Sequence, residues 1–208
     1  VLDGQISDAG APVVLQTTGA GTLTLNNANT YSGITRVIGT DSLLALGHAQ
    51  ALGNSNLHLA DGGGLRLLTD TADLLEIRLA SEDGVIDTNG YTAVVNNGLA
   101  GPGNLIKRGN GTLVLASDSN YTGTTSVLQG TLQVGTGGTD GSLGSASAML
   151  GTQGVLRFNR DGVVSLEGLS GTGMLQMAGP GRLELRTSTD IFNGSVQVLD
   201  GSLEFYDD

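Results

Sequence analysis

The chain has 208 residues, 35 of them glycine, and a formal charge of −11 from 20 acids against nine bases. Glycine is more than twice the ~7% of ordinary proteins, yet three prolines and no Gly-X-Y period exclude collagen, and an alternating 38% of apolar residues excludes disorder. Without cysteine there is no disulfide scaffold, thiolate zinc site or thiol nucleophile, and so acidic a chain is a poor partner for nucleic acid or anionic lipid.

Four Tyr, three Phe and no Trp are too few to fill the wide core of a sandwich this size. A narrow core of Leu, Val, Ile and Ala needs fewer aromatics, which points to a solenoid. No apolar run approaches the ~20 residues of a membrane span. The chain opens at Val1-Leu2 without a visible signal peptide, and is read as a piece of something longer.

The first predicted element is an alternating strand, Leu23 and Leu25 around Thr24, after the Gly19-Ala20-Gly21 joint. It leads through Tyr31 to Gly33. Leu23, Leu43, Leu65, Ile86 and Leu105 follow at spacings of 20, 22, 21 and 19 residues. In a parallel β-helix these residues would stack in a column, one per coil. Thr69 to Ala80 is the best helical candidate, but strands are expected there. The acids Asp70, Asp73, Glu76, Glu82, Asp83 and Asp87 cluster around Arg78. They fit either an acidic groove or, the favoured reading, a solvated outer face.

Later segments repeat earlier ones. Gly109 to Gly123 copies Gly19 to Gly33, and Gly179 to Gly194 is a looser copy with Ile191-Phe192 in place of Asn-Tyr. Leu99 to Leu105 matches Leu169 to Leu175. Leu52-Gly53 with Leu65 and Leu67 matches Leu143-Gly144 with Leu156 and Phe158. The long repeats recur at 90 and then 70 positions. The extra residues lie between Leu67 and Leu99, as if one coil of about 21 residues were present in one unit and missing from the other. The expected organisation is one β-helical segment over 1–208, with repeat units of approximately 6–98, 99–168 and 169–208. Its fold is an all-β, right-handed parallel β-helix of about ten coils, each of roughly 19–24 residues.

Chemistry is sparse in this pattern. His48 and His58 have no nucleophile or acid at catalytic spacing, and Asp140 after Gly137-Gly138-Thr139 is a calcium-like motif that occurs once. Neither catalytic, cofactor nor metal residues are predicted, and the chain is read as no enzyme. Tyr31, Tyr121 and Phe192 hold equivalent positions and read as caps over a turn, with an exposed sugar-binding platform as the alternative. The glycosylation-like triplets at Asn110, Asn120 and Asn193 are chance matches in Gly/Asn/Thr-rich turns.

The pattern Gly-x-Gly-Thr-Leu-x-Leu, then Tyr-x-Gly, then Val-x-x-Gly-x-Leu-x-Val resembles the passenger-associated repeat of autotransporters. It is clearest over Gly109–Gly135, good over Gly19–Leu46 and degenerate over Gly179–Phe205. The resemblance implies a stalk displayed on a Gram-negative cell surface and secreted through a C-terminal outer-membrane β-barrel that this segment lacks. It supplies no catalytic residues. Three roles fit it: adhesion or self-association, folding and secretion, or passive spacing. The implied partners are the same protein on neighbouring cells, or a host or matrix protein or glycan. Nucleic acid and direct membrane insertion are not expected.

Overall fold

A computed structural model of the chain describes residues 1–145, 147–186 and 192–206, apart from the side chains of Ala72 and Asp73. The described residues hold no helix and form a parallel β-solenoid of about nine turns. At the ~4.8 Å spacing of paired strands the stack is about 40–45 Å long.

Each complete coil passes three strand positions, which define three sides of the rod. On the first side lie β1 (Leu15–Thr18), β3 (Thr35–Ile38), β5 (Leu57–Ala60), β8 (Ile77–Leu79) and β11 (Leu99–Ala100), paired in that order. The second side stacks β2 (Gly21–Leu25), β4 (Ser42–Leu46), β6 (Gly64–Leu67), β9 (Asp83–Asp87) and β12 (Asn104–Arg108). The third begins with β7 (Thr71–Leu74), β10 (Thr92–Val95) and β13 (Thr112–Leu115). Two long strands, β14 (Thr125–Val134) and β15 (Ser147–Phe158), bend across the second and third sides. Their first halves extend the β12 ladder and their second halves the β13 ladder. The second side then continues with β17 (Gly168–Gly171), and the third with β18 (Met174–Met177) and β20 (Ser195–Val198). The first side resumes as β16 (Val163–Leu166), β19 (Arg182–Arg186) and β21 (Ser202–Tyr206).

Alternation decides which side chains enter the core. On the third side Ala93, Leu113, Leu132, Leu156 and Leu175 stack in one buried column, and Val95, Leu115, Val134, Phe158 and Met177 in the next. The bend inside β14 needs Gly130. Its φ is +70°, and a Cβ there would sit 2.2 Å from the carbonyl oxygen of Gly109 on the coil before. Thr69 to Ala80 contributes β7 and β8, as expected from its place in the repeats.

The second-side column differs from the leucine series. Leu23 stacks on Leu44, Leu65, Ile86, Lys107, Val127 and Leu150. Leu43 is the outward neighbour of Leu44, and Leu105 lies two residues before the true member of the column. The additional residue near Asp41-Ser42 shifts the strand by one position, and one position exchanges inside for outside.

The repeats also turn as they climb. The first copy lays its strand pairs β1–β3 and β2–β4 on the first and second sides. The second copy places the equivalent pairs, β12 with β14 and β13 with β14, on the second and third. The third copy uses β18–β20 and β19–β21, on the third side and the first. Paired positions such as Leu44 and Leu65 or Leu65 and Ile86 lie 21 residues apart. A step of 90 residues is then about four coils and a third, and 70 is about three and a third. The extra residues of the first unit complete one coil, with β8, β9 and β10 as its three strands.

Candidate functional site

Side chains that could carry function sit at the corners and in the outward columns. Tyr31 and Tyr121 are not an exposed platform: both rings are fully buried. The Tyr31 hydroxyl lies 2.7 Å from Thr35 Oγ1, which is 2.8 Å from Ser55 Oγ on the next coil. Tyr121 Oη lies 2.5 Å from Thr125 Oγ1, and burial pushes its pKa up to about 12. The Leu-Gly pairs noted in the repeats belong to the same arrangement. Gly53 and Gly144 sit directly over the backbone of Tyr31 and Tyr121, and a Cβ at Gly144 would come within 2.3 Å of the Tyr121 carbonyl oxygen. In the third copy Phe192 replaces the tyrosine, and Val196 stands where the others have threonine. Both hydroxyls are exchanged together for apolar groups.

The acidic cluster is dispersed over turns and rungs. Asp70 Oδ1 accepts the Thr92 amide at 2.7 Å and Asp83 Oδ1 accepts Asn104 Nδ2 at 2.9 Å. Asp87 receives Arg66 Nε and the Asn89 amide, each at 2.9 Å. Glu82 is at a turn with φ of +41°, and the side chain of Asp73 lies outside the described residues. Among the described residues no three of these groups converge as metal ligands. His48 Nδ1 accepts the Gln50 amide at 3.0 Å, and Asp140 is exposed in a turn. Asn110 Oδ1 accepts Gln129 Nε2 from the next coil at 2.6 Å, so its amide joins neighbouring rungs.

Parallel in-register stacking sorts the remaining polar residues into ladders. On the second side Arg66, Asp87 and Arg108 are register neighbours, lining two adjoining shallow surface depressions. On the first side Gln16, Arg36, His58 and Arg78 are stacked outward. Burial, then the charges of Arg36 and Arg78, hold the His58 pKa below its ordinary value, with Glu76 opposing. Farther along the same side Glu184 accepts Arg182 Nη2 and Arg186 Nη2, each at 2.8 Å, and Ser165 Oγ at 3.2 Å.

Residues 15–39 and 105–134 match the model of the passenger-associated-transport-repeat family. The chain is also similar to the adhesin BmaC autotransporter of Brucella suis biovar 1 (strain 1330), with 34% identity over 162 residues, 77% of this chain. It spans 5% of that relative's length. No solved structure matches the chain.

The chain is an autotransporter passenger segment.

For a passenger, the residue that sequence reasoning missed is Lys107. It is fully buried in the second-side column, where the other coils use Leu, Ile or Val. Its Nζ donates to the carbonyls of Arg108 and Gly109, each at 2.8 Å, and to Gln129 on the next coil at 3.0 Å. Burial pulls its pKa down to about 8, with Asp87 opposing. Thr88, also buried, donates to the same Arg108 and Gly109 carbonyls at 3.3 Å. Lys107 thus closes the corner between the second and third sides of the passenger. Its position as the single lysine of the chain was the available signal.

Proposed function

We propose that this segment is a rigid, non-enzymatic stretch of β-helix, displayed on the surface of a Gram-negative bacterium, that presents or mediates adhesive contacts. The observation that carries this reading is the set of stacked side-chain columns on the second and third sides of the described residues. They commit the interior to packing and leave the outward ladders as the surface available to a partner. The adhesin name of the Brucella relative supports the same reading. A non-enzymatic role is supported by the chemistry of the titratable groups, since His48 and the acids of the extra coil hold turns and rungs.

Folding assistance is the second reading: each rung pairs in parallel register with the one before it, so a formed coil offers its edge strands as a template for the next.

One experiment separates these readings. The parent protein with and without residues 1–208 is displayed on a non-clumping bacterium, and surface level and cell aggregation are scored together. Persistent display with loss of aggregation is the outcome expected for an adhesive segment. Collapse of the surface level identifies a folding or secretion role, and no change in either leaves a passive spacer.

A further inference from the structure

The nine basic residues of this acidic chain are not used alike. Lys107 is internal. Arg66 pairs with Asp87, and Arg108 is stacked beside that same acid. Arg157 donates to Gln176, Arg160 to the Gly141 carbonyl, and Arg182 and Arg186 to Glu184. Among the described residues, only Arg36 and Arg78 have neither a bonded partner nor an acid beside them in their column. Their register neighbours are Gln16, His58 and Ala100. Glu76 lies two residues before Arg78 on the same face, and Asp61 at the adjoining turn is held by Ser81 Oγ at 2.7 Å.

We infer that the Arg36–His58–Arg78 column is a binding site for an extended acidic polysaccharide. Three side chains on consecutive strands form a straight row along the rod axis at ~4.8 Å per rung. A linear polymer carrying carboxylates or sulfates on successive sugars lies along such a row, and each guanidinium can engage one anion through paired N–H donors. The exposed amides of Gln16 and Asn56 flank the row and suit sugar hydroxyls. Duplex nucleic acid fits poorly, because the strip is one residue wide on a surface of net charge −11 that repels a broad polyanion. The site deepens the adhesive reading and takes its biological setting from it, but binding is a property of the 208-residue chain and is tested apart from display.

The test measures binding of the purified chain to immobilised heparin, polygalacturonate, dextran, poly-L-glutamate and duplex DNA at low and moderate salt. Binding to heparin and polygalacturonate that weakens with salt is expected, with none to dextran. Arg36→Gln/Arg78→Gln should lose at least about tenfold in affinity, Arg36→Lys/Arg78→Lys should lose less because it keeps the charge without the paired donors, and Arg108→Gln should retain most of it. Unchanged thermal melting of the glutamine variant ties its loss to the site and not to folding. The inference is overturned if neither acidic polysaccharide binds, or if the glutamine variant binds like the wild type. It is equally overturned if poly-L-glutamate or DNA binds as tightly as the polysaccharides.

Discussion

Two stretches of the first side group basic residues in different geometries, one along a single strand and one across three, and use them oppositely. Near the C-terminal end, Arg182 and Arg186 converge on one largely buried carboxylate, Glu184. Arg182 also reaches Glu204 at 3.5 Å, and Arg186 lies 5.0 Å from the centre of the Tyr206 ring. Near the N-terminal end Arg36, His58 and Arg78 have no such acid among them. In each group the residue between the two arginines decides the result: Glu184 lies between them along β19, and His58 lies between them across β3, β5 and β8. Glutamate closes its group on itself within one strand, and histidine leaves the cross-strand column open to a partner. Lys107 is a third solution, a cation taken inside and satisfied by three carbonyls.

That contrast can be broken at its strongest point first. Lys107→Ala leaves a cavity and strands the carbonyls at the corner, and should cost about 3–5 kcal/mol in a urea titration. Lys107→Met keeps most of the volume and should cost clearly less. Titration gives the next largest effect. The folded pKa of Lys107, about 8, lies below its ordinary value of 10.5. Between these values the folded state holds fewer protons than the unfolded chain, so stability should rise with pH by up to about 3 kcal/mol. Tyr121 acts in the opposite sense. Its raised pKa gives stability that is complete below pH 10 and lost as pH climbs through about 12. The expected profile is a rise above pH 8 followed by a fall above 10, and Lys107→Met should remove the rise alone.

Smaller effects sharpen the comparison. Tyr121→Phe and Thr125→Val should each cost about 1–2 kcal/mol, because each disturbs a buried hydroxyl pair. The double variant should cost less than their sum, since it reproduces the Phe192 and Val196 combination of the third copy. Glu184→Gln opens the closed Arg182–Glu184–Arg186 group and should lower the melting midpoint by a few degrees, more at low salt than at high. The smallest change is expected from His58→Glu, which places an acid between Arg36 and Arg78 in the open column. Stability should rise by less than about 1 kcal/mol, while heparin binding by the chain disappears.

The period of the coil was legible because stacking demands a similar length from every turn. Leu65 and Ile86, 21 apart, are true column neighbours. The one-coil difference between the repeat units was legible for the same reason. Which residue faces inward was not. Leucine occurs on both faces of β4, so spacing alone selected Leu43 where the core takes Leu44. Lys107 was missed although alternation from Leu105 puts it on the inward face, because a charged residue is not expected in a core column. Tyr31 and Tyr121 were legible as equivalent positions of the repeat. Their complete burial depends on the Leu-Gly pairs of the following coils, which the sequence displays but does not connect to them.

The fractional turn by which each repeat exceeds a whole number of coils makes the rod a protractor as well as a ruler. Epitopes inserted at the three aromatic corners would emerge in three directions around the axis, however alike the host sequences. Two inserts meant to be gripped by one bivalent reagent belong whole coils apart on a single side. A lineage lengthening this protein by copying repeats would therefore distribute new corners around the shaft, while one adding single coils, as in the first unit, would extend reach without changing direction.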